Sequence, residues 1–497
     1  MTVSTTRVRV LLALLAVVSY ACLLQGVRPL YSPDEGRYTD VALMMLADGD
    51  WLHPMLHPEV PHWSKPPLTY WSIATSFVAA GHSEFAARLP GALAFAATIL
   101  LLGRLGRRLV PAQPWLPALV YATFAFPVAA SNLVTTDSLL ALWETLSVAA
   151  FVELWWAADV REARRARLLL GLALALAFLT KGPPGLLAFA GCLLFAGWSE
   201  GTRGLRRAFG WDALLVFLVV GGSWYAIVAW QEPDVMRYFL VEEVVNRVAS
   251  DRMHRNAQWY GAFRVYLPTL LVGTLPWLPV LLAAAWRHRR DALARVRADA
   301  VARLLASWLL VPLVVFMLAR SRLPLYVLPL FAPLALVAAR ELAPWRPRRW
   351  LLALLAAWSV AMVGLRALPA RLDVDADDRA LAQAIDRQLS PRPHEVAFVE
   401  DAPRYGLRFY LGSEVERLDL PDRPREAQAQ DLPSELAERE GCRLLLVPPA
   451  HRQELERALA AYGVDWRPID DVRGYAALAQ LGDDCAWRAD ARAMLRP

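Results

Sequence analysis

The sequence predicts an all-α polytopic membrane protein that carries a small α/β domain at its C-terminal end. Of its 497 residues, 57% are hydrophobic and only 20% are charged, against about 25% charged in an ordinary soluble domain. Long uncharged runs follow one another up to residue 365, whereas the charge density rises from about residue 373. This composition excludes an intrinsically disordered chain and a soluble multidomain protein. Four cysteines are too few for a disulfide scaffold.

The membrane helices are predicted from runs of residues without charge. A hydrocarbon core about 30 Å thick needs roughly 17–25 apolar residues per helix. The candidate runs lie at 10–27, 66–83, 89–103, 109–136, 168–180, 182–199, 213–231, 265–286, 304–319, 323–339 and 350–365. A twelfth helix, at 138–156, contains Glu144 and Glu153. The first run lacks the small-residue cleavage site of a signal peptide, so it is predicted to stay in the protein.

The distribution of Lys and Arg sets the predicted topology. Cytoplasmic loops carry an excess of these residues, and Arg7 and Arg9 place the N-terminus in the cytoplasm. If run 66–83 is re-entrant or lies on the outer surface, the short inner loops past residue 100 carry 20 basic residues and the outer loops carry 8. If run 66–83 crosses, this asymmetry reverses. The sequence therefore predicts eleven crossings, outer-face juxtamembrane helices and a C-terminus outside.

The C-terminal residues are predicted to form an extracytoplasmic α/β domain at 369–497, after a transmembrane domain at 1–368. Segments 395–399 and 443–447 are predicted strands, and 378–389 and 450–461 are predicted helices between them.

Two cysteines of this domain, Cys442 and Cys485, are compatible with a disulfide in that compartment and equally with two buried thiols.

Candidate functional residues concentrate in the first outer loop, 28–88. It contains Y-S-P-D-E-G-R-Y-T-D and H-W-S-K-P-P-L-T-Y-W. Asp34 and Glu35 fall in the first turn of a predicted helix, near its positive dipole end, which favours their ionised form. A solvated helix start is the alternative explanation. The other candidates in this loop are Arg37, Tyr38, Lys65, Glu84 and Arg88.

Further candidates follow along the chain. Asp137 is the first charge after 28 uncharged residues and is also suited to cap the next helix. Lys65 and Lys181 are the only two lysines among 53 basic residues, and a lysine offers a compact point charge that the planar guanidinium of Arg cannot imitate. Glu243 and Arg247 have the i,i+4 spacing at which two side chains meet on one face of a helix. They are candidate site residues, and an ordinary surface ion pair is the alternative explanation.

The predicted topology brings these groups, together with Tyr326, to one membrane face. Carboxylates mixed with cations at headgroup depth suit a reaction on a lipid phosphate, in which the cations hold the phosphate and a carboxylate acts as general base. No zinc-type Cys/His spacing and no Walker or Rossmann glycine pattern is present. We therefore predict no metal ligand, no cofactor and no nucleic-acid partner, and leave a divalent cation open.

These stretches resemble the GT-C membrane glycosyltransferases related to the protein O-mannosyltransferases, and most of all the bacterial lipid A aminoarabinose transferases. The similarity extends in order from about residue 30 to 335. It rests on D-E-G-R-Y, K-P-P-L-T-Y-W, E-F-A-A-R-L-P, K-G-P and S-R-L-P-L-Y-V-L-P.

The resemblance implies a GT-C fold and a polyprenyl-phosphate sugar donor, used on the outer face of the bacterial inner membrane by a monomer. Its acceptor would be lipid A, another envelope glycan or lipid, or a protein. It implies that Asp34 is the catalytic carboxylate, assisted by Asp137. Lys65, Arg247 and Tyr326 would lie at the donor phosphate, with Arg37 and Arg88 as further candidates. Ser64 replaces the Glu that aminoarabinose transferases usually place there, so a neutral hexose or pentose donor is equally compatible.

Three other functions remain open from the sequence. A protein O-glycosyltransferase of the mannosyltransferase type would share the donor chemistry, and a lipid-linked glycan ligase would share the topology. A transporter would favour internal repeats and charges at the membrane midplane. The sequence has no evident internal repeat, and its charges gather at one face.

Overall fold

The computed structural model describes residues 2–57, 60–239, 255–345, 349–421, 430–432, 436 and 442–480. The chain forms two compact units, and each combines separate stretches of sequence. The first unit contains Met1–Val27 and Trp63–Leu368, and the second contains Arg28–His62 and Pro369–Pro497.

All secondary structure in the described residues of the first unit is helical. Its α-helices are Thr2–Cys22, Leu68–Ala80, Glu84–Leu109, Leu116–Thr123, Ala125–Ala130, Asp137–Trp155, Val160–Lys181, Leu187–Ala208, Trp211–Val216, Ser223–Gln231, Pro233–Arg237, Gly261–Gly273, Leu278–His288, Ala292–Ala298, Ala300–Leu318, Phe331–Leu342 and Arg349–Gly364. The 3₁₀ segments of the whole chain are Pro183–Leu186, Pro324–Leu330, Leu368–Arg371 and Pro449–His451, and Phe217–Gly221 is a π-helical turn.

Four helices of the described residues are long and apolar enough to cross a membrane. They are Glu84–Leu109, Asp137–Trp155, Ala300–Leu318 and Pro324–Leu342. Two bent helix pairs raise the number to six if each pair is one span: Trp211–Gly221 with Ser223–Gln231, bent by 42°, and Gly261–Gly273 with Leu278–His288, bent by 109°. The predicted polytopic helical architecture is present, and the number of eleven crossings stays a prediction.

The uncharged run 109–136 is not the single helix that its length predicts. It contains helices of only eight and six residues, with Phe124 extended between them. Pro127 causes the break, because a proline has no N–H to donate to the carbonyl four residues earlier. That carbonyl, of Thr123, instead accepts a hydrogen bond of 2.8 Å from Trp358 Nε1.

Small residues let helices of the first unit approach closely. A Cβ added at Gly191 would lie 2.7 Å from the Ser307 carbonyl oxygen, on the neighbouring Ala300–Leu318 helix. A Cβ at Gly171 would lie 2.3 Å from the Ala213 carbonyl oxygen. Close backbone approach through small residues is typical of helix packing in membranes, where no hydrophobic effect drives helices together.

The second unit contains a six-stranded mixed sheet. Its strands, and those of a separate hairpin, are β1 Met55–His57, β2 Val60–Pro61, β3 Glu395–Val399, β4 Glu414–Asp419, β5 Gln430–Asp431, β6 Arg443–Val447, β7 Trp466–Val472 and β8 Tyr475–Gln480. The sheet order is β5-β4-β3-β6-β8-β7, and β1 pairs with β2. Strands β5, β4, β3 and β6 are parallel, whereas β8 runs antiparallel to β6 and β7.

The sheet confirms the predicted small α/β domain and both predicted strands. Every residue of β3 and β6 is buried, as their continuous apolar runs indicate. Among its described residues, this unit has the α-helices Asp34–Asp48, Asp378–Asp386, Gly406–Leu411 and Arg452–Ala461. Cys442 is in a disulfide and is not a free thiol, whereas Cys485 lies outside the described residues. Cys22 and Cys192 are free.

Candidate active site

The first unit contains a cavity of about 350 Å³ with apolar walls and a group of polar side chains. Its apolar walls include Phe178, Phe239 and Phe316. Its polar lining residues are Ser64, Lys65, Lys181, Tyr225, Ser321 and Tyr326. Both lysines of the chain therefore line the same cavity, although 116 positions separate them in sequence.

Lys181 is held by a buried ion pair with Asp137. Its ammonium donates a hydrogen bond to Asp137 Oδ1, and both side chains are only 7% exposed. The ammonium also lies 4.6 Å from the centroid of the Tyr326 ring, which is a cation–π distance. Asp137 begins one helix and Lys181 ends the next, so the pair joins two antiparallel neighbours at their common end.

Glu144 adds a second buried carboxylate to the helix that begins at Asp137. It lies seven residues further on, two helical turns along the same face, and it is 2% exposed. Its Oε1 atom accepts no hydrogen bond from the residues that the structure describes. An intramembrane carboxylate of this kind usually faces a partner or a functional site.

Lys65 is positioned by the two prolines that follow it. The helix after them starts only at Leu68, because the N–H-free prolines suit a helix start and keep the preceding residues out of the helix. Lys65 is 9% exposed, and its ammonium donates a hydrogen bond of 2.5 Å to the Ser64 carbonyl oxygen.

Tyr326 reaches the cavity from the 3₁₀ segment Pro324–Leu330. The neighbouring Arg322 is committed to the backbone, since its Nη1 donates to the carbonyl oxygens of Asn256, at 2.8 Å, and Gln258, at 2.7 Å. The conspicuous arginine of S-R-L-P therefore fixes the segment that carries the tyrosine.

Arg88 and Glu84 lie at the start of the Glu84–Leu109 helix but do not line the cavity. Arg88 is fully buried, and its Nη1 donates to the Gln25 carbonyl oxygen at 3.0 Å. Glu84 is the first residue of the helix, which the Ser83 side chain caps by accepting from the Ala86 N–H. The contact of Arg88 with the donor phosphate stays a prediction.

The predicted site residues Glu243 and Arg247 lie outside the described residues.

The remaining predicted residues belong to the second unit and share the Asp34–Asp48 helix. Asp34 accepts a hydrogen bond of 2.5 Å from Arg37, and its side chain is 45% exposed. Glu35 is instead buried, and its two oxygens accept from the two Nη atoms of Arg28 at 2.5 and 2.8 Å. Tyr38 is 6% exposed. Of the two adjacent carboxylates, Asp34 is the accessible one, whereas Glu35 is engaged in a bidentate ion pair.

Residues from the C-terminal third of the chain hold this helix, and the sequence did not indicate them. Ser32 donates to both carboxylate oxygens of Asp378, at 2.8 and 2.9 Å, and Arg404 donates to the same carboxylate at 2.9 Å. Burial raises the pKa of the Asp378 carboxyl to about 6, although Arg404 and the Ser32 hydroxyl favour its ionised form. No local sequence signal links groups that are 346 positions apart.

The same packing explains why residue 36, in the D-E-G-R-Y stretch, is a glycine. A Cβ added there would lie 2.5 Å from the backbone nitrogen of Gly406. A Cβ added at Gly406 would in turn lie 2.0 Å from an Asp378 oxygen. Two glycines thus permit the helix to lie directly on the segment that contacts Asp378.

The described residues also contain a group of three side chains that is able to hold a metal ion. His57 and two strand carboxylates, Glu414 and Glu416, present ligand atoms that all lie within 4.8 Å of one another. All three residues belong to the second unit. The sequence contains no closely spaced ligand motif that would indicate this group.

Comparison with known proteins defines the class. Residues 64–227 match the family model described as dolichyl-phosphate-mannose-protein mannosyltransferase. The fold matches the crystal structure of ArnT from Cupriavidus metallidurans bound to undecaprenyl phosphate, with a TM-score of 0.76 over 95% of this chain and 98% of that chain. The sequences are 20% identical, so this likeness concerns the fold. The chain is thus similar to membrane glycosyltransferases in part of its sequence and shares the fold of one of them, which confirms the resemblance seen in the sequence.

Within that class, the chain is similar to bacterial proteins named undecaprenyl phosphate-alpha-4-amino-4-deoxy-L-arabinose arabinosyl transferase. It is 37% identical to the Pseudomonas aeruginosa (strain LESB58) protein over 324 residues, which are 63% of this chain and 56% of the relative. A Sodalis glossinidius (strain morsitans) relative is 35% identical over 339 residues, with coverages of 66% and 58%. The matched region thus spans less than two thirds of the relatives' length.

The ion pair between Asp137 and Lys181 generates a stability prediction. Asp137→Asn leaves a buried ammonium without its partner, and breaking a buried pair in this way costs about 3–5 kcal/mol. We expect a lower midpoint of thermal unfolding in one detergent. The double variant Asp137→Asn/Lys181→Met removes both charges and should recover most of the loss. An unchanged midpoint in Asp137→Asn would show that the pair contributes nothing to stability.

Proposed function

We propose that the protein is an inner-membrane glycosyltransferase that moves a sugar from a polyprenyl-phosphate donor to an acceptor on the outer face. The observation that carries this proposal is the composition of the cavity. Its walls are apolar, and both lysines of the chain lie in its lining. An amphiphile with one anionic group and a long hydrocarbon tail matches this combination.

The donor phosphate needs cations, and the cavity offers two. A charge-assisted hydrogen bond from an ammonium to a phosphate oxygen is stronger than a neutral one. Lys65 and Lys181 supply these donors, and the Tyr326 hydroxyl is a third group of the lining. The polyprenyl chain would lie along the aromatic and aliphatic walls. The relatives' names specify undecaprenyl phosphate, and we infer the same carrier here.

The transfer reaction requires a leaving phosphate and a general base. The bond between sugar C1 and the phosphate oxygen breaks, and its electron pair leaves with the polyprenyl phosphate. The acceptor hydroxyl oxygen forms the new bond to C1, and its proton passes to a carboxylate. Asp34 is proposed as that carboxylate, because the family resemblance assigns it and because it is more accessible than the adjacent Glu35. The cation at the phosphate stabilises the charge that develops on the leaving group.

Asp137 has a different proposed part in the reaction. Because its carboxylate is paired with Lys181, it orients an ammonium that lines the cavity. It is therefore proposed to assist through the position of this cation. Arg247 is proposed as a further phosphate ligand, from the resemblance alone.

Lipid A, or another glycan or lipid of the envelope, is the proposed acceptor, because the resemblance to the lipid A aminoarabinose transferases implies it. The donor sugar is proposed to be a pentose or a hexose, and Ser64 lines the cavity next to Lys65. Transfer to a protein hydroxyl is the second candidate, because the matching family model describes a protein mannosyltransferase.

We also propose the topology that the basic residues predict, with eleven crossings, a cytoplasmic N-terminus and an outer C-terminal domain from residue 369. The helix Leu68–Ala80 supports the re-entrant or interfacial reading of run 66–83. It has 13 residues and is thus only about 20 Å long, less than the roughly 30 Å of a hydrocarbon core.

Lys65 provides the first test of the donor site. Lys65→Ala should weaken the binding of polyprenyl phosphate by about 10- to 150-fold, because a charge-assisted hydrogen bond contributes roughly 1.5–3 kcal/mol. Lys65→Arg should restore only part of the affinity, since a planar fork does not fit the place of a point charge. Affinity is measured by titration in one detergent.

The matched control is Arg264→Ala, which removes an exposed cation of the same unit that does not line the cavity. Its affinity should equal that of the wild type. If Lys65→Ala also binds polyprenyl phosphate with wild-type affinity, the lysine does not hold the donor.

Asp34 provides the test of the chemistry. Asp34→Asn keeps the shape but removes the base, and loss of a positioned acid–base group lowers the rate by about 10²–10⁴. The fold should persist, because the Asp34–Arg37 pair is partly exposed and such pairs contribute little stability. The readout is sugar transfer to extracted lipid acceptors under saturating donor.

Asp48→Asn is the control for this experiment, because Asp48 is an exposed carboxylate at the other end of the same helix. It should retain full activity. Equal activity of Asp34→Asn and Asp48→Asn would exclude Asp34 as the base.

Topology is tested with reporter fusions. A periplasm-specific reporter fused after Ser83 or after Lys181 should be active, whereas one fused after Arg108 should be inactive. This pattern follows from the excess of basic residues in the inner loops. Cytoplasmic reporter activity at Ser83 would contradict the re-entrant assignment of run 66–83.

A further inference from the structure

Several helices of the first unit have an end in the same place. Arg207, in the last turn of one helix, donates a hydrogen bond of 2.6 Å to the carbonyl oxygen of Trp155, which ends another helix. Arg108, in the last turn of a third helix, donates to the carbonyl oxygen of the next residue, Trp156, at 3.3 Å. These helix ends therefore form one surface. We call it the arginine face, and it consists of residues 104–108, 153–167 and 199–212.

The arginine face contains more cations than its own acids can pair. It has ten arginines and five acidic residues. Four of the acids already pair with an arginine, and the fifth, Asp159, caps a helix. The other six arginines are exposed and have no hydrogen-bond or ion-pair partner in the part of the chain that the structure describes: Arg107, Arg161, Arg164, Arg165, Arg203 and Arg206. The surplus charge favours an anionic ligand.

Gly201 gives part of this face its shape. Its φ of 58° interrupts the helix Leu187–Ala208. A Cβ added at Gly204 would lie 2.2 Å from the Ala196 carbonyl oxygen, although positions this far apart are about 12 Å from each other along a straight helix. The segment after Gly201 therefore folds back onto the helix before it. The turn leaves a concavity that is lined by Glu200, Arg203 and Arg207.

Large apolar side chains are exposed beside these cations. Leu205, Phe209 and Trp211 are 39%, 56% and 86% exposed. Arginines on one side of a segment and aromatic or aliphatic side chains on the other are typical of a segment at the membrane interface, where the cations contact headgroups and the apolar groups contact acyl chains. A free phosphate ion would match the cations alone, whereas a lipid with an anionic headgroup matches both features.

We propose that the arginine face binds the headgroup of an anionic phospholipid, with the lipid phosphate at the concavity that contains Arg203. Basic pockets between membrane helices bind anionic headgroups in this way. Arg206 lies three residues after Arg203 and is its neighbour on the helix surface. A guanidinium offers two parallel N–H groups to phosphate oxygens, so this pair supplies four donors.

The other two residues of the concavity form its fixed part. Arg207 Nη1 donates to Glu200 Oε1 at 3.2 Å, and the Arg207 guanidinium carbon lies 4.8 Å from the centroid of the Trp155 ring. Arg207 compensates the charge of Glu200, so Arg203 determines the net charge of the concavity. Because Arg207 is already held by these contacts, its order adds little to the entropic cost of binding.

The proposed lipid site is separate from the proposed donor site. No residue of the arginine face lines the cavity that contains Lys65 and Lys181. The bound phospholipid would therefore be neither the sugar donor nor its product. Its binding does not depend on the transfer reaction, so it is measured without any sugar substrate.

The test uses the full chain, freed of lipid in a neutral detergent and titrated with dioleoylphosphatidylglycerol. Arg203→Gln/Arg206→Gln should weaken binding of this lipid by about 25-fold, since each basic residue near an anionic lipid contributes a factor of about 5. Dioleoylphosphatidylcholine has the same acyl chains but no net charge and should bind more weakly to the wild type. Glycerol 1-phosphate has the charge without the acyl chains and should not displace the lipid. Native mass spectrometry counts the lipids bound.

The matched control is Arg7→Gln/Arg9→Gln. It removes the same charge from two exposed arginines of the first unit that lie outside the arginine face. This variant should bind phosphatidylglycerol like the wild type. Both double variants change exposed side chains, so both should fold. Equal loss of affinity in the two variants would show an effect of net charge only and overturn the proposal. Equal binding of the two phospholipids, or displacement by glycerol 1-phosphate, would overturn it as well.

Discussion

A buried ammonium within an apolar helical unit is the constraint on which the first unit depends. An isolated charge is costly in an environment of low dielectric constant, and it persists only when an opposite charge and further hydrogen bonds compensate it. Lys181 meets this condition through Asp137 and the face of Tyr326. Lys181 and its two partners come from three separate segments, so the compensation of one charge fixes the ends of two helices and the 3₁₀ segment Pro324–Leu330.

The second unit solves a related problem for its carboxylates. Glu35 and Asp378 are both buried, and each is compensated by an arginine, Arg28 and Arg404 respectively. The two adjacent acids of D-E-G-R-Y therefore have different environments. Glu35 is neutralised by a bidentate contact, while Asp34 is the partly exposed acid at the positive end of the helix. Glu35 is thus committed to the structure, whereas Asp34, the carboxylate proposed as the general base, is partly exposed and paired with Arg37.

Much of the architecture was predictable because it follows from local pattern. Uncharged runs indicated the helices, and the continuous apolar segments of β3 and β6 indicated buried strands. Local pattern failed where a single residue decides the outcome. Pro127 interrupts the run 109–136, and the indole of Trp358 donates to the carbonyl that this break leaves without its helical partner. Run length alone also does not reveal the bend of 109° after Gly273.

The candidate site was predictable in part for the same reason. The rarity of lysine identified Lys65 and Lys181, which line one cavity. The other residues described above had weaker signals in the sequence. Asp137 was conspicuous as the first charge after a long apolar run, whereas Arg404 and Asp378 belong to ordinary polar stretches. Contacts over hundreds of residues leave no trace in a single sequence, because they depend on the path of the chain and not on its local periodicity.

The hydrogen bonds between Ser32 and Asp378 also delay one step of folding until late in the synthesis of the protein. The two residues are 346 positions apart, and at about 5–20 residues per second a ribosome needs on the order of 20–70 s to make that length. During this interval the helix that carries Asp34 lacks the surface on which it packs. An interrupted translation product would insert most of its membrane helices and still lack this support. The helix with the proposed base therefore gains its packing surface only when the last third of the chain has emerged from the ribosome.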